Sequence, residues 1–271
     1  MPVSINAEMN FHHNEALRAL REWVTTCNNH KLDTSQLLMQ AGLLPQTPER
    51  GLQPMPHVFK NMQEFNAAIQ GVGPILDAYM AVRFSTVKHA VSQSVDRNTI
   101  RAFHLKSTGS DQKPLELYRR TLTSYFEKEL QNFRRLTSAE DYADFVVQSA
   151  RMIEAVFDGA AGRMGFMGFG RAAKLFNLTC KSMLRHDQLT DSERDCLMKL
   201  LHVPLDSFTL QAIRKLKPPF SIPSTASMGW LKMNDVAAYH QLQEWIRLKC
   251  EAVNVYPIHY EIAAWDQAHR P

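Results

Sequence analysis

Apolar positions along the chain recur at helical rather than strand spacing. Leu17, Leu20, Trp23 and Val24 share one helical face, and so do Phe59, Met62, Phe65 and Ile69. A longer stripe of Tyr118, Leu122, Tyr125, Phe126, Leu130 and Phe133 predicts a helix from Leu115 to about Arg135. Thr137 through Glu140 reads as a capping box, hydroxyl and carboxylate each satisfying the other residue's N–H, and opens a helix from Ala139 to about Phe157. The same signature at Thr190 through Glu193 opens a helix over Asp191 to Leu201. Asn234 or Asp235 caps a last long helix through Ala252, and Pro257 stops its continuation. Only Ile100 to Leu105 alternates enough to suggest a short strand, so the fold class is all-α.

Two breaks punctuate this pattern: Pro45 to Gly51, and Ser107 to Pro114. The second divides an N-terminal helical region, residues 1–113, from a second region, residues 114–271. The chain shows no internal repeat. Its 271 residues, 45% hydrophobic and 21% charged, suffice for a sizeable core. The net charge of +4 tilts the reading mildly toward an anionic partner. No run of about eighteen apolar residues exists to span a membrane, and the first residues lack a basic segment followed by an apolar core. The expectation is a cytoplasmic protein that engages no membrane. Cys27, Cys180, Cys196 and Cys250 are scattered and read as buried thiols, and the dispersed histidines support no metal site.

Two stretches carry candidate chemistry. In Phe166 to Asn177, a Gly168-Phe169-Gly170 turn runs straight into an amphipathic helix. Glycine takes positive φ without a Cβ clash, and a helix start turns its N–H groups and positive dipole end toward an anion. Arg171 and Lys174 add positive charge there. A pair of packing glycines between two helices is the alternative. In His202 to Leu210, Asp206 stands at the mouth of another helix, where it either caps the helix or presents a carboxylate to a developing cation. Farther on, Trp230, Tyr239, Trp245, Tyr256, Tyr260 and Trp265 accompany His259 and Glu261. Aromatic faces there can sandwich a base whose edge His259 or Glu261 reads, although Tyr239, Leu242 and Ile246 also fit a core stripe.

The sequences Met167-Gly168-Phe169-Gly170-Arg171 and Val203-Pro204-Leu205-Asp206 together resemble the helix-hairpin-helix DNA glycosylase superfamily, over roughly Ala139 to Leu216. The resemblance implies a two-lobed helical fold with the active site in the cleft between lobes. It also implies a monomer without cofactor or metal, acting on double-stranded DNA with an extruded base. Asp206 would be the catalytic carboxylate, and Gly168, Phe169, Gly170, Arg171 and Lys174 would hold DNA. Trp230, Tyr239, His259, Glu261 and Trp265 are the candidate substrate pocket.

Three departures shape the expectation. The interval from Gly170 to Asp206 is long for the family and includes an extra helix, Asp191 to Leu201. Ala172 stands where lyase-type members carry a nucleophilic lysine. Lys174 lies about 200° further around the helix. The four-cysteine iron–sulfur loop of some members is missing. The expectation is therefore a monofunctional glycosylase that uses water, leaves an abasic site and takes an unusual base. One such base is glucosylated hydroxymethylcytosine in phage DNA, as for anti-phage defence enzymes. Hydrolysis of a free nucleoside or nucleotide, as in queuosine salvage, and a non-enzymatic helical DNA-binding module are the alternatives.

Overall fold

Helices, most of them opened by a capping residue, account for the regular structure of the described residues in the computed structural model. The structure describes residues 61–95, 99–100, 113–162, 166–222 and 235–269, with backbone only at 207, 208 and 265–269. In chain order these form α1 (Met62–Gly71), α2 (Gly73–Ala81), α3 (Val87–Ser94), α4 (Pro114–Arg134) and α5 (Ala139–Ala161). There follow α6 (Phe169–Met183), α7 (Asp191–Leu200), α8 (Ser207–Lys215), α9 (Val236–Glu251) and α10 (Pro257–His269). Among the described residues there is no strand. One isolated parallel bridge ties Phe84 to His186, through Phe84 N–H to Arg185 O (2.8 Å) and Asp187 N–H to Phe84 O (2.9 Å).

Local chemistry explains the helix starts. Asn61, Thr86 and Asp235 accept N–H bonds at the mouths of α1, α3 and α9, and Thr190 with Glu193 forms the expected capping box of α7. At α5 the cap sits one residue later than expected: Ser138 accepts from Asp141 N–H. Pro257 does not close the helical region but opens α10. A proline fits the first turn of a helix because its missing N–H would have had no partner there. Leu17 to Val24, Phe59 and residues 101–105 lie outside the described residues.

The core is organised around α6, which is buried on almost every side, from Phe169 and Ala172 through Phe176 and Cys180 to Met183. It packs against α3 and α5, while α10 packs against α1, α2, α7, α8 and α9. Phe176 of α6 stacks on Phe126 of α4 at 5.6 Å and meets Phe145 of α5 at 5.4 Å, so three helices share one aromatic cluster. α6 also carries polar groups inward: Thr179 meets Tyr118 at 2.5 Å and Ser182 donates to Ala90 O at 2.7 Å. Cys180 and Cys250 are buried free thiols whose pKa burial pushes up. Among the described residues no helix is long and apolar enough to cross a membrane.

Candidate active site

Two helix mouths frame the candidate site, linked by one side chain of α6. The first is the turn between α5 and α6. Gly162 ends α5 at φ 59°, and Gly168 precedes α6 at φ 71° and ψ 147°, both in the region that suits glycine. Asp158 is buried and accepts Met167 N–H at 2.8 Å, which fixes the approach to Gly168. Having no side chain, Gly168 supplies no side-chain cap to α6. Gly170 lies within the first turn of α6 and is buried, so of the Gly168–Gly170 pair Gly168 alone takes positive φ. The Phe169 ring points into the core, edge-on to Tyr239 at 5.3 Å and under the Arg151 guanidinium at 5.1 Å, leaving only its backbone at the turn. Arg171 donates to Phe166 O at 2.8 Å, and its partial burial lowers its pKa.

The second mouth is that of α8. Asp206 Oδ1 accepts Thr209 N–H at 2.9 Å, while Asp206 N–H donates to Thr209 Oγ1 at 2.7 Å. The carboxylate is thus locked by a reciprocal cap, and Tyr260 O–H secures the next turn by donating to Thr209 O at 2.6 Å. Burial, with the Asp206 charge adding to it, raises the Tyr260 pKa well above its ordinary value.

Lys174 joins the two mouths. It follows Gly168 by six residues, about 9 Å along α6. Its Nζ lies 3.5 Å from Asp206 Oδ2, with both side chains only 15% exposed. Ala172 is fully buried, and the rotation that separates it from Lys174 is what turns the lysine toward α8.

The described members of the expected pocket, Tyr239, His259 and Glu261, each have partners within the fold. Trp230 and the Trp265 side chain lie outside the described residues. Tyr239 is 1% exposed and is a structural bridge: its hydroxyl takes Asn177 Nδ2–H at 2.8 Å and meets His202 Nδ1 at 3.0 Å. His259 Nδ1 accepts Tyr256 N–H at 3.2 Å at the mouth of α10, and burial lowers its pKa. Glu261 forms a largely buried pair with Lys181, two turns beyond Lys174 on α6, and Lys181 also lies over the Tyr79 ring at 5.2 Å. Burial pulls the Lys181 pKa down, but Glu261 and Tyr79 together more than offset this and the net shift is upward.

Sequence reasoning passed over the residues that hold the Asp206 loop. Gln243 of α9 accepts Val203 N–H and donates to Val203 O, both at 2.8 Å. His202 is forced neutral, its pKa lowered to about 3 by burial and by neighbouring His240. Tyr239 and Gln243 stand four residues apart on one helical face, but the spacing does not say which loop that face meets. Beside this anchor a cleft of about 220 Å³ is lined by Glu140, His202, His240, Gln243, Glu244 and Arg247 among others. Among the described residues no cluster of three or more histidine, cysteine or acidic side chains is placed to hold a metal. Comparison with protein-family models, with curated proteins and with solved structures returned no match.

Proposed function

We propose that this chain is a DNA glycosylase that hydrolyses the N-glycosidic bond of an extruded, modified base, with Asp206 as the catalytic carboxylate. The observation that carries the reading is the contact of Lys174 with Asp206. It sets a rigid carboxylate on the flank of the same helix that opens at the positive-φ Gly168 turn. A turn of this kind at a helix start suits a DNA phosphate, and a carboxylate held nearby suits the sugar attached to it.

In this mechanism the duplex releases its base, because C1′ is inaccessible in the stack. The C1′–N bond breaks, its electrons leave with the base, and positive charge grows on the sugar. Asp206 Oδ2 stabilises that charge and takes a proton from the attacking water, while Oδ1 stays engaged with Thr209. Lys174 neutralises the carboxylate at rest and exchanges toward the DNA phosphate on binding, which exposes Oδ2 to the sugar. A two-lobed arrangement with the base in the intervening cleft belongs to this proposal.

The decisive experiment incubates the protein with phage DNA containing glucosylated hydroxymethylcytosine and counts abasic sites. Abasic sites with the unaltered chain and none with Asp206→Asn are expected; no abasic sites with the unaltered chain count heavily against the reading. Hydrolysis of a free nucleoside or nucleotide by the same aspartate is the alternative reading, and it requires no duplex.

A further inference from the structure

We propose that Gln243 is the positioning residue of this site: from α9, it sets the backbone that delivers the Asp206 carboxylate. The catalytic consequence rests on the glycosylase reading above; the positioning itself does not.

Residues 201–206 have no regular secondary structure, yet Leu201, Val203, Pro204 and Leu205 are buried. Buried backbone polar groups outside a helix need partners supplied by something else. Val203 obtains both of its partners from one side chain, the Gln243 carboxamide, at 2.8 Å each. Gln243 is only 4% exposed, so water does not compete for these bonds. A carboxamide is suited to the task because it offers an acceptor and a donor in one plane.

One turn earlier on α9, the Tyr239 hydroxyl holds His202 and Asn177, which adds a second anchor immediately before Val203. After Val203 the chain has little freedom. Pro204 fixes its own φ, Leu205 is buried, and Asp206 begins α8 in its reciprocal cap with Thr209. A shift at Val203 therefore propagates to the Asp206 cap and to its approach to Lys174.

An isosteric change separates positioning from bulk packing. In Gln243→Glu the ionised carboxylate still accepts Val203 N–H but has no proton for Val203 O. The protonated acid restores both bonds. Charged and titratable groups around position 243 are Glu140 of α5, His202 of the loop, and Tyr239, His240, Glu244 and Arg247 of α9. All are present in the unaltered chain, so each measurement is taken as a ratio to that chain at the same pH.

The test uses the full-length chain and reads hydrogen exchange of the Thr209 amide, whose acceptor is Asp206 Oδ1. At pH 8, exchange in Gln243→Glu is expected to be roughly tenfold or more faster than in the unaltered chain, and the ratio returns toward one by pH 5. Gln243→Met is expected to be faster at both pH values. If Thr209 exchange in Gln243→Glu matches the unaltered chain at both, the proposal is overturned. Should the variants not fold, exchange is read on the unaltered chain. Slow exchange of the Gln243 carboxamide protons and the Val203 amide supports the clamp, and exchange at solvent rates overturns it.

On a confirmed substrate, kcat of Gln243→Glu relative to the unaltered chain follows the same recovery with falling pH, with KM little changed. A pH-dependent Thr209 ratio together with an unaltered chain that cleaves no substrate keeps the positioning role and removes only the glycosylase reading.

Discussion

Asp206 divides its two oxygens between two tasks, Oδ1 on Thr209 N–H and Oδ2 toward Lys174. Asparagine keeps an acceptor for the first and loses the charge of the second. On the glycosylase reading, Asp206→Asn is therefore expected to keep the α8 cap while hydrolysis falls about 10²-fold or more. Asp206→Ala should in addition lose about 1 kcal/mol of stability in urea titration.

His202 supplies a pH prediction with a definite sign. Its folded pKa of about 3 lies below the ordinary value of 6.5, so unfolding binds a proton between those values. The stability contributed by neutral His202 is complete above pH 6.5 and is lost as pH falls toward 3. Unfolding free energies measured from pH 7 down to 4.5 should decline, with this group contributing a slope of up to about 1.4 kcal/mol per pH unit. His202→Asn, whose amide reaches the Nδ1 position, should flatten that decline.

Among the elements, the turn before α6 is the most exacting. Any Cβ at Gly168 meets the steric cost of φ 71°, so Gly168→Ala is expected to lower stability by about 1–2 kcal/mol in thermal or urea unfolding. The same substitution at Gly170, inside the helix at negative φ, carries no such backbone term. The helices themselves were legible from the chain: the stripe from Tyr118 to Phe133 became α4, and the Thr190–Glu193 box became the start of α7. These are local signals, written within one or two turns of sequence.

The Asp206 cap was legible for the same reason, since Thr209 stands three residues away. Contacts that cross the fold were not. Nothing local says that Gln243 reaches Val203, or that Tyr239 spends its hydroxyl on Asn177 and His202 rather than on a ligand. Pro257 shows the limit of a one-sided rule, because proline both ends helices and begins them.

For the whole molecule, the glycosylase reading makes an ionic-strength prediction. If Arg171, Lys174 and the α6 mouth grip a duplex backbone, the logarithm of the DNA association constant should fall linearly with the logarithm of salt concentration. Its slope should be about 0.9 per phosphate engaged, and Lys174→Gln should reduce it by about one contact. A free-nucleoside hydrolase would show no such slope.

The burial of α6 has a consequence for engineering. One helix supplies the glycine turn, the lysine facing Asp206, the aromatic cluster with α4 and α5, and the inward hydroxyls and amide. On the glycosylase reading, heat resistance and turnover are written into the same fifteen residues, and a library that randomises them cannot select for one without sorting on the other. Stable variants recovered from such a library should carry few substitutions in α6, and those that do should require compensating changes in α4 or α5.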